Sequence, residues 1–192
     1  MIILTSNGLS SDKLLNEVKK HILVDMKKAA LIVTADEIYK EKNRHVLRLT
    51  NELKSIGLSV DYFDIDYQNP ELLENYDVIE LIGGNPYYLL NSLNISNAKR
   101  ILKKLSKTKI IIGCSAGSLV LQSSIDIIDM YSPEMNQTIK LQDFTTLDLV
   151  DVVILPHYNR FIKKYKDFEK IARQYEKAIN VQFIESMMVK QL

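Results

Sequence analysis

Residues Gly113-Cys114-Ser115-Ala116-Gly117 have the types and spacing of a G-x-S-x-G nucleophile elbow. In that motif a sharp turn pushes the serine oxygen out of the chain, where it can attack a carbonyl. The turn leaves little space for side chains, which accounts for Gly113, Ala116 and Gly117. The β-branched run Ile110-Ile111-Ile112 precedes it, and Ser118-Leu119-Val120-Leu121-Gln122 can begin a helix. This is the strand–turn–helix setting the motif needs. The N–H of Ala116 then becomes one donor to an oxyanion. The competing reading of the same residues is an ordinary turn rich in small side chains.

A serine nucleophile needs a base and, in most cases, an acid that orients it. His157 is the favoured base because it ends a candidate strand, as the elbow does. His21 and His45 lie in amphipathic, charged helical patterns and read as exposed. No histidine follows His157, so the Ser–acid–His order of an α/β-hydrolase leaves only the short stretch before it for the acid. Glu185, just after the last apolar run, allows a Ser–His–acid order instead. Asp126, Asp129 and Glu134 compete with it. Gly83-Gly84-Asn85 offers the second half of an oxyanion hole, because a glycine lets backbone approach substrate closely. The N–H of Gly84 would face that of Ala116, and Pro86 would open the next helix.

These residues need a frame. Candidate strands are Ile2–Thr5, Ala29–Thr34, Ser59–Asp64, Val78–Ile82, Lys109–Gly113, Val152–Leu155 and Val181–Ile184. Several are apolar throughout, as strands buried on both faces should be. Between them, Ser11 caps a helical pattern from Asp12 to about Val24, and another runs from Tyr39 to Ile56, ending at Gly57. Ala98–Leu105 and Asp167–Ala178 add two more. Alternation of strand and helix predicts a three-layer α/β/α sandwich on a mostly parallel sheet, as one domain spanning 1–192. Ligands of such sheets bind beyond the carboxyl ends of the strands. Gly83-Gly84-Asn85, the elbow and Pro156-His157-Tyr158 all fall there.

The composition, 46% hydrophobic and 26% charged, is that of a soluble globular protein. A net charge of +1 gives no reason to expect nucleic acid or an acidic membrane as partner. The first residues carry no basic leader, and no apolar stretch is long enough for a bilayer span. One cysteine, Cys114, allows no intrachain disulfide and suits a reducing compartment, so a cytoplasmic location is expected. The histidines are scattered without zinc spacing, and no metal or other cofactor is expected.

Taken in order, Gly83-Gly84-Asn85, Gly113-Cys114-Ser115-Ala116-Gly117 and Pro156-His157-Tyr158 resemble the peptidase E (aspartyl dipeptidase) and cyanophycinase superfamily. The resemblance extends to Ile32-Val33-Thr34-Ala35 and to the Leu147–Val153 approach to the histidine. It implies a flavodoxin-like sandwich similar to class I glutamine amidotransferases, and a serine peptidase that cleaves small peptides next to aspartate. By the same resemblance Ser115 matches the nucleophile, His157 the base, and Gly84 and Ala116 the oxyanion donors. Glu185 matches the third member in position, although Ile184 and Ser186 stand where the family has proline and glycine. Apart from the resemblance, Asn85 is a candidate for substrate binding, and Arg160, three residues past His157, is the nearest candidate cation for an acidic side chain, with a surface arginine as the competing reading. Pro86 replaces the usual Thr or Ser, and the chain closes soon after Glu185, which keeps open an alternative, a non-catalytic binding protein on the same fold. Cys114 as nucleophile is disfavoured, since Ile112 and Ala116 occupy positions that would then want glycine.

Overall fold

A computed structural model describes residues 1–179 and 188–190. Five parallel strands, β1 (Ile2–Thr5), β2 (Lys28–Ile32), β3 (Ser59–Phe63), β4 (Val78–Leu81) and β5 (Ile110–Cys114), form the sheet. A short β6 (Met188–Lys190) pairs antiparallel with β1. The strand order β3-β2-β4-β5-β1-β6 puts β4, β5 and β1 side by side. Ile2, Ile3, Leu31, Ile32, Ile79, Ile111 and Ile112 are fully buried, as strands covered by helices on both faces require.

The helices follow local signals. α1 (Asp12–Lys19) starts where the Ser11 hydroxyl accepts the Leu14 N–H. It is shorter than the expected helix to Val24. α2 (Val46–Ser55) carries Val46, Leu49 and Leu53 inward. The expected helix from Tyr39 is broken, because Asn43 turns the chain and accepts the His45 N–H, leaving one 3₁₀ turn at Lys40–Lys42. α3 (Pro86–Ile95) has Pro86 in its first turn and Asn85 as its cap. α4 (Ala98–Leu105) and α5 (Ala116–Leu119) flank β5. α6 (Asp126–Tyr131), α7 (Tyr158–Lys164) and α8 (Phe168–Ile179) complete the chain up to 179.

The expected strand at Val152–Leu155 does not form. Val153, Ile154 and Leu155 are buried, but the Ile154 N–H donates to the Gln122 side-chain oxygen at 2.9 Å rather than to a neighbouring strand. A side chain has taken the place of a ladder partner. The expected strand at Val181–Ile184 lies outside the described residues. No helix among the described residues is long and apolar enough to cross a membrane.

Candidate active site

The site is built at the carboxyl ends of β4, β5 and β1. The pairings Leu81 with Gly113 and Thr5 with Cys114 bring three strand ends level. β5 ends at Cys114 and α5 begins at Ala116, so one residue, Ser115, makes the turn. Its backbone has φ 53° and ψ −110°, a region sparsely used by side-chain-bearing residues. Close packing holds it there. A Cβ on Gly117 would sit 2.1 Å from the Leu81 carbonyl oxygen, and one on Gly113 would sit 2.6 Å from Ser118 Cα. The Ser118 hydroxyl lies 2.8 Å from the Thr5 carbonyl and 2.7 Å from that of Gly113, and it accepts the Thr5 N–H at 2.9 Å. The Ser115 N–H donates to Thr5 O at 2.9 Å. The elbow is thus fastened to β1 as well as to its own strand.

Ser115 Oγ lies 3.0 Å from His157 Nε2. His157 itself has a left-handed backbone, φ 62° and ψ 26°, immediately before α7. Its approach is anchored by Gln122, which is fully buried and also donates to the Ser124 carbonyl. Residues 146, 147 and 149 add backbone hydrogen bonds to the carbonyls of Ser123, Val120 and Leu121. Burial lowers the His157 pKa below its ordinary 6.5, and the positive charges of Arg160 and His45 push it the same way. The neutral imidazole, the form that accepts a proton, is therefore favoured at neutral pH.

The Gly83–Gly84 turn lies across from the elbow. A Cβ on Gly84 would meet the Ala35 carbonyl oxygen at 2.1 Å, so only glycine permits this approach. Gly84 is exposed. Asn85 uses its side chain inside the protein: its oxygen accepts the N–H groups of Tyr87 and Tyr88, and its amide donates to Met135 O at 2.9 Å. It holds the turn and the chain opposite rather than facing the basin described next.

Ser115 and His157 open on a basin of about 460 Å³ that also takes in Arg44, His45, Arg48 and Arg160. Arg48 is held by the Asn7 carbonyl and side chain, at 2.9 and 3.0 Å, and by an ion pair with Glu52. Of these cations only Arg160 was expected from the sequence. His45, expected as an exposed helix residue, is exposed but borders the site. Arg44, His45 and Arg48 sit at the start of α2, far from the motifs, and only the i,i+4 spacing of Arg48 and Glu52 marks them in the sequence.

Of the candidate acids, Asp129 accepts from the Tyr87 hydroxyl at 3.4 Å, Glu134 from Ser132 at 2.6 Å, and Asp126 from Tyr175. Glu185 lies outside the described residues. Cys114 is 5% exposed, and burial with the nearby Glu80 carboxyl pushes its thiol up to about 12. A thiol so held is not a nucleophile at neutral pH.

A mostly parallel α/β/α sandwich with a strained serine turn at its carboxyl edge defines an α/β protein of the nucleophile-elbow class. The family follows from comparison. Residues 2–189 match the model of Peptidase family S51, and the chain belongs to that family. It is 28% identical over 143 residues to an uncharacterized peptidase of Pasteurella multocida, covering 72% of this chain and 68% of the relative. It is 33% identical over 135 residues to an uncharacterized peptidase of Listeria innocua, covering 67% of this chain and 63% of that protein. The matches thus span about two thirds of these relatives' length. The fold matches that of a Listeria monocytogenes EGD-e protein solved as a candidate peptidase E, with TM-score 0.76, 24% identity, and coverage of 100% and 98% of the two chains. A peptidase structure from an acI-B1 Actinobacterium matches with TM-score 0.67 at 22% identity, over 89% and 74%.

Proposed function

We propose that this protein is a cytoplasmic serine peptidase that hydrolyses small peptides carrying an acidic side chain beside the scissile bond. The observation that carries the reading is the 3.0 Å contact between Ser115 Oγ, on its strained turn, and His157 Nε2. Family membership supports a peptidase. His157 takes the Ser115 proton as Oγ attacks the peptide carbonyl, then returns it to the leaving amine. The N–H groups of Gly84 and Ala116 receive the negative charge that develops on the carbonyl oxygen. His157 then takes a proton from water as it attacks the acyl carbonyl, and gives that proton to Ser115 Oγ as the acid product leaves. Glu185 is the third member, orienting His157.

The acidic preference is supported by the cations around the basin, Arg44 and Arg160, with Arg48 already paired to Glu52. A planar guanidinium matches a carboxylate with two parallel hydrogen bonds. Burial favours neutral His157 and the charge of Arg160 adds to that effect, so this side chain bears on both recognition and the base.

Labelling with a fluorophosphonate probe, read by intact mass and peptide mapping, tests the reading. One adduct on the Ser115 peptide is expected, absent in Ser115→Ala and strongly slowed in His157→Ala. A panel of Asp-X, X-Asp and neutral dipeptides then tests the acid preference. Labelling that survives Ser115→Ala refutes the nucleophile, and equal cleavage of neutral and acidic peptides refutes the preference.

A further inference from the structure

Ser115 stands between two spaces of opposite character. One is the cationic basin. The other is a small recess of about 50 Å³, which shares Gly84, Ser115 and His157 with the basin, also takes in Ala116, the second proposed oxyanion donor, and is walled beyond them chiefly by Leu119, Ile128, Tyr131, Met135, Phe161 and Tyr165. None of those six side chains carries a formal charge. A carbonyl attacked by Ser115 carries two substituents, the acyl portion and the leaving amine. With openings on two sides of the serine, the two substituents diverge, one into each space.

The recess is small, on the order of one or two waters, each of which occupies ~30 Å³ in the liquid. Its walls are braced. The Tyr131 ring packs on Phe161, Tyr165 and Phe168 with centroids 5.5, 5.2 and 4.8 Å away. Met135 is tied across to the Gly84 turn through the Asn85 amide on its carbonyl. Pro86, also on the wall, is buried and supplies no hydroxyl or N–H. A charged side chain entering here would lose water and meet hydroxyls, those of Tyr131 and Tyr165, rather than an opposite charge. A large ring would have to displace packed aromatics.

We infer that the recess is a second specificity pocket, which admits one small aliphatic side chain, of alanine to valine size, on one side of the scissile bond. This rests on the peptidase reading of Ser115 and narrows its substrate class to peptides that join an acidic residue to a small aliphatic one. Met135 is the specificity-determining residue best suited to a test, because its side chain lines the pocket while its carbonyl, not its side chain, makes the bond to Asn85.

The experiment measures kcat/KM for a dipeptide matrix in which each position in turn is Gly, Ala, Val, Leu, Phe or Lys with Asp at the other, on the full-length protein and on Met135→Ala and Met135→Phe. Fluorophosphonate labelling of Ser115 is followed in parallel. At one of the two positions Ala and Val should exceed Phe and Lys by at least tenfold. Met135→Ala should shift the optimum toward Leu and Phe, and Met135→Phe should shift it from Val toward Ala and Gly. If Ser115 labels and peptides are cleaved but Ala, Phe and Lys react within threefold, or the optimum ignores both substitutions, the pocket is overturned while the peptidase reading stands. If the protein neither labels nor cleaves, both fall.

Discussion

The two halves of the candidate dyad are held in different ways. Ser115 is placed by backbone. Three strand ends lie level, two glycines admit carbonyl and helix at contact distances no Cβ allows, and Ser118 ties β5 to β1. His157 is placed by side chains. Gln122 reaches across from the end of the elbow helix to hold Ile154, and the rings of Tyr131, Phe161 and Phe168 pack around the helix that follows. The nucleophile therefore depends on a sheet that cannot shift without general disruption. The base depends on a few replaceable contacts, so its position is the adjustable one.

Breaking the backbone side should have the largest effect. Gly117→Ala places a Cβ 2.1 Å from the Leu81 carbonyl oxygen, and overpacking of this kind costs about 1–3 kcal/mol, here at the upper end because the obstacle is backbone. Thermal or denaturant unfolding should show that loss, with Ser115 labelling abolished. On the side-chain side, Gln122→Ala leaves the Ile154 N–H buried without an acceptor. It should cost about 1–3 kcal/mol, and displacing His157 by even 1 Å should lower kcat about 10²-fold. Wild-type kcat in Gln122→Ala would show that the base is held from elsewhere.

Beneath the elbow, Glu80 pairs with Ile112 of β5. It lies in β4, fully buried, and neither carboxyl oxygen has a hydrogen-bond partner. Burial, reinforced by Glu52, pushes its pKa up to about 8, so at neutral pH it is held as the acid. A group whose folded pKa is raised favours the fold most below its unfolded value, here near 4.5, and that contribution is lost as pH rises toward 8. Wild-type stability should therefore decline across this window, and Glu80→Gln should flatten the decline. Glu80→Leu, similar in size and apolar, should raise stability at pH 8 by about 1–3 kcal/mol. Unchanged pH dependence in Glu80→Gln would show that another group titrates.

The smallest effect concerns charge at the base. The acid limb of kcat/KM should lie below pH 6.5, because burial and then Arg160 lower the His157 pKa. In Arg160→Gln the limb should move upward, toward ordinary imidazole. A downward shift would mean that Arg160 acts on His157 in the opposite sense.

The same contrast explains what the sequence alone conveys. The elbow and the strands beneath it are legible because they are local: β-branched runs followed by glycines at fixed offsets. Strands β1 and β3 to β5 fall within a residue of expectation at each end. What governs His157 is not local. Val152–Leu155 reads as a strand by composition, yet its partner is one glutamine side chain, a contact no periodicity encodes. The cations of α2 were hidden for the same reason. Arg44, His45 and Arg48 look like a solvated helix face until the turn at Asn43 brings that helix end to the basin. Glu185, proposed as the orienting acid, rests on its place after the last apolar run and on resemblance.

Cys114 offers a consequence of a practical kind. It is the one cysteine of the chain, it adjoins Ser115, and it is almost wholly covered. Cys114 borders the basin but is 5% exposed, so an alkylating reagent gains full access when the elbow lifts away from its packing, and the rate of thiol modification in native buffer follows that opening. The protein thus carries its own reporter beside the strained turn at Ser115. Ligands that clamp the turn should slow the modification, and substitutions that loosen it should make it run faster before any loss of global stability is measurable.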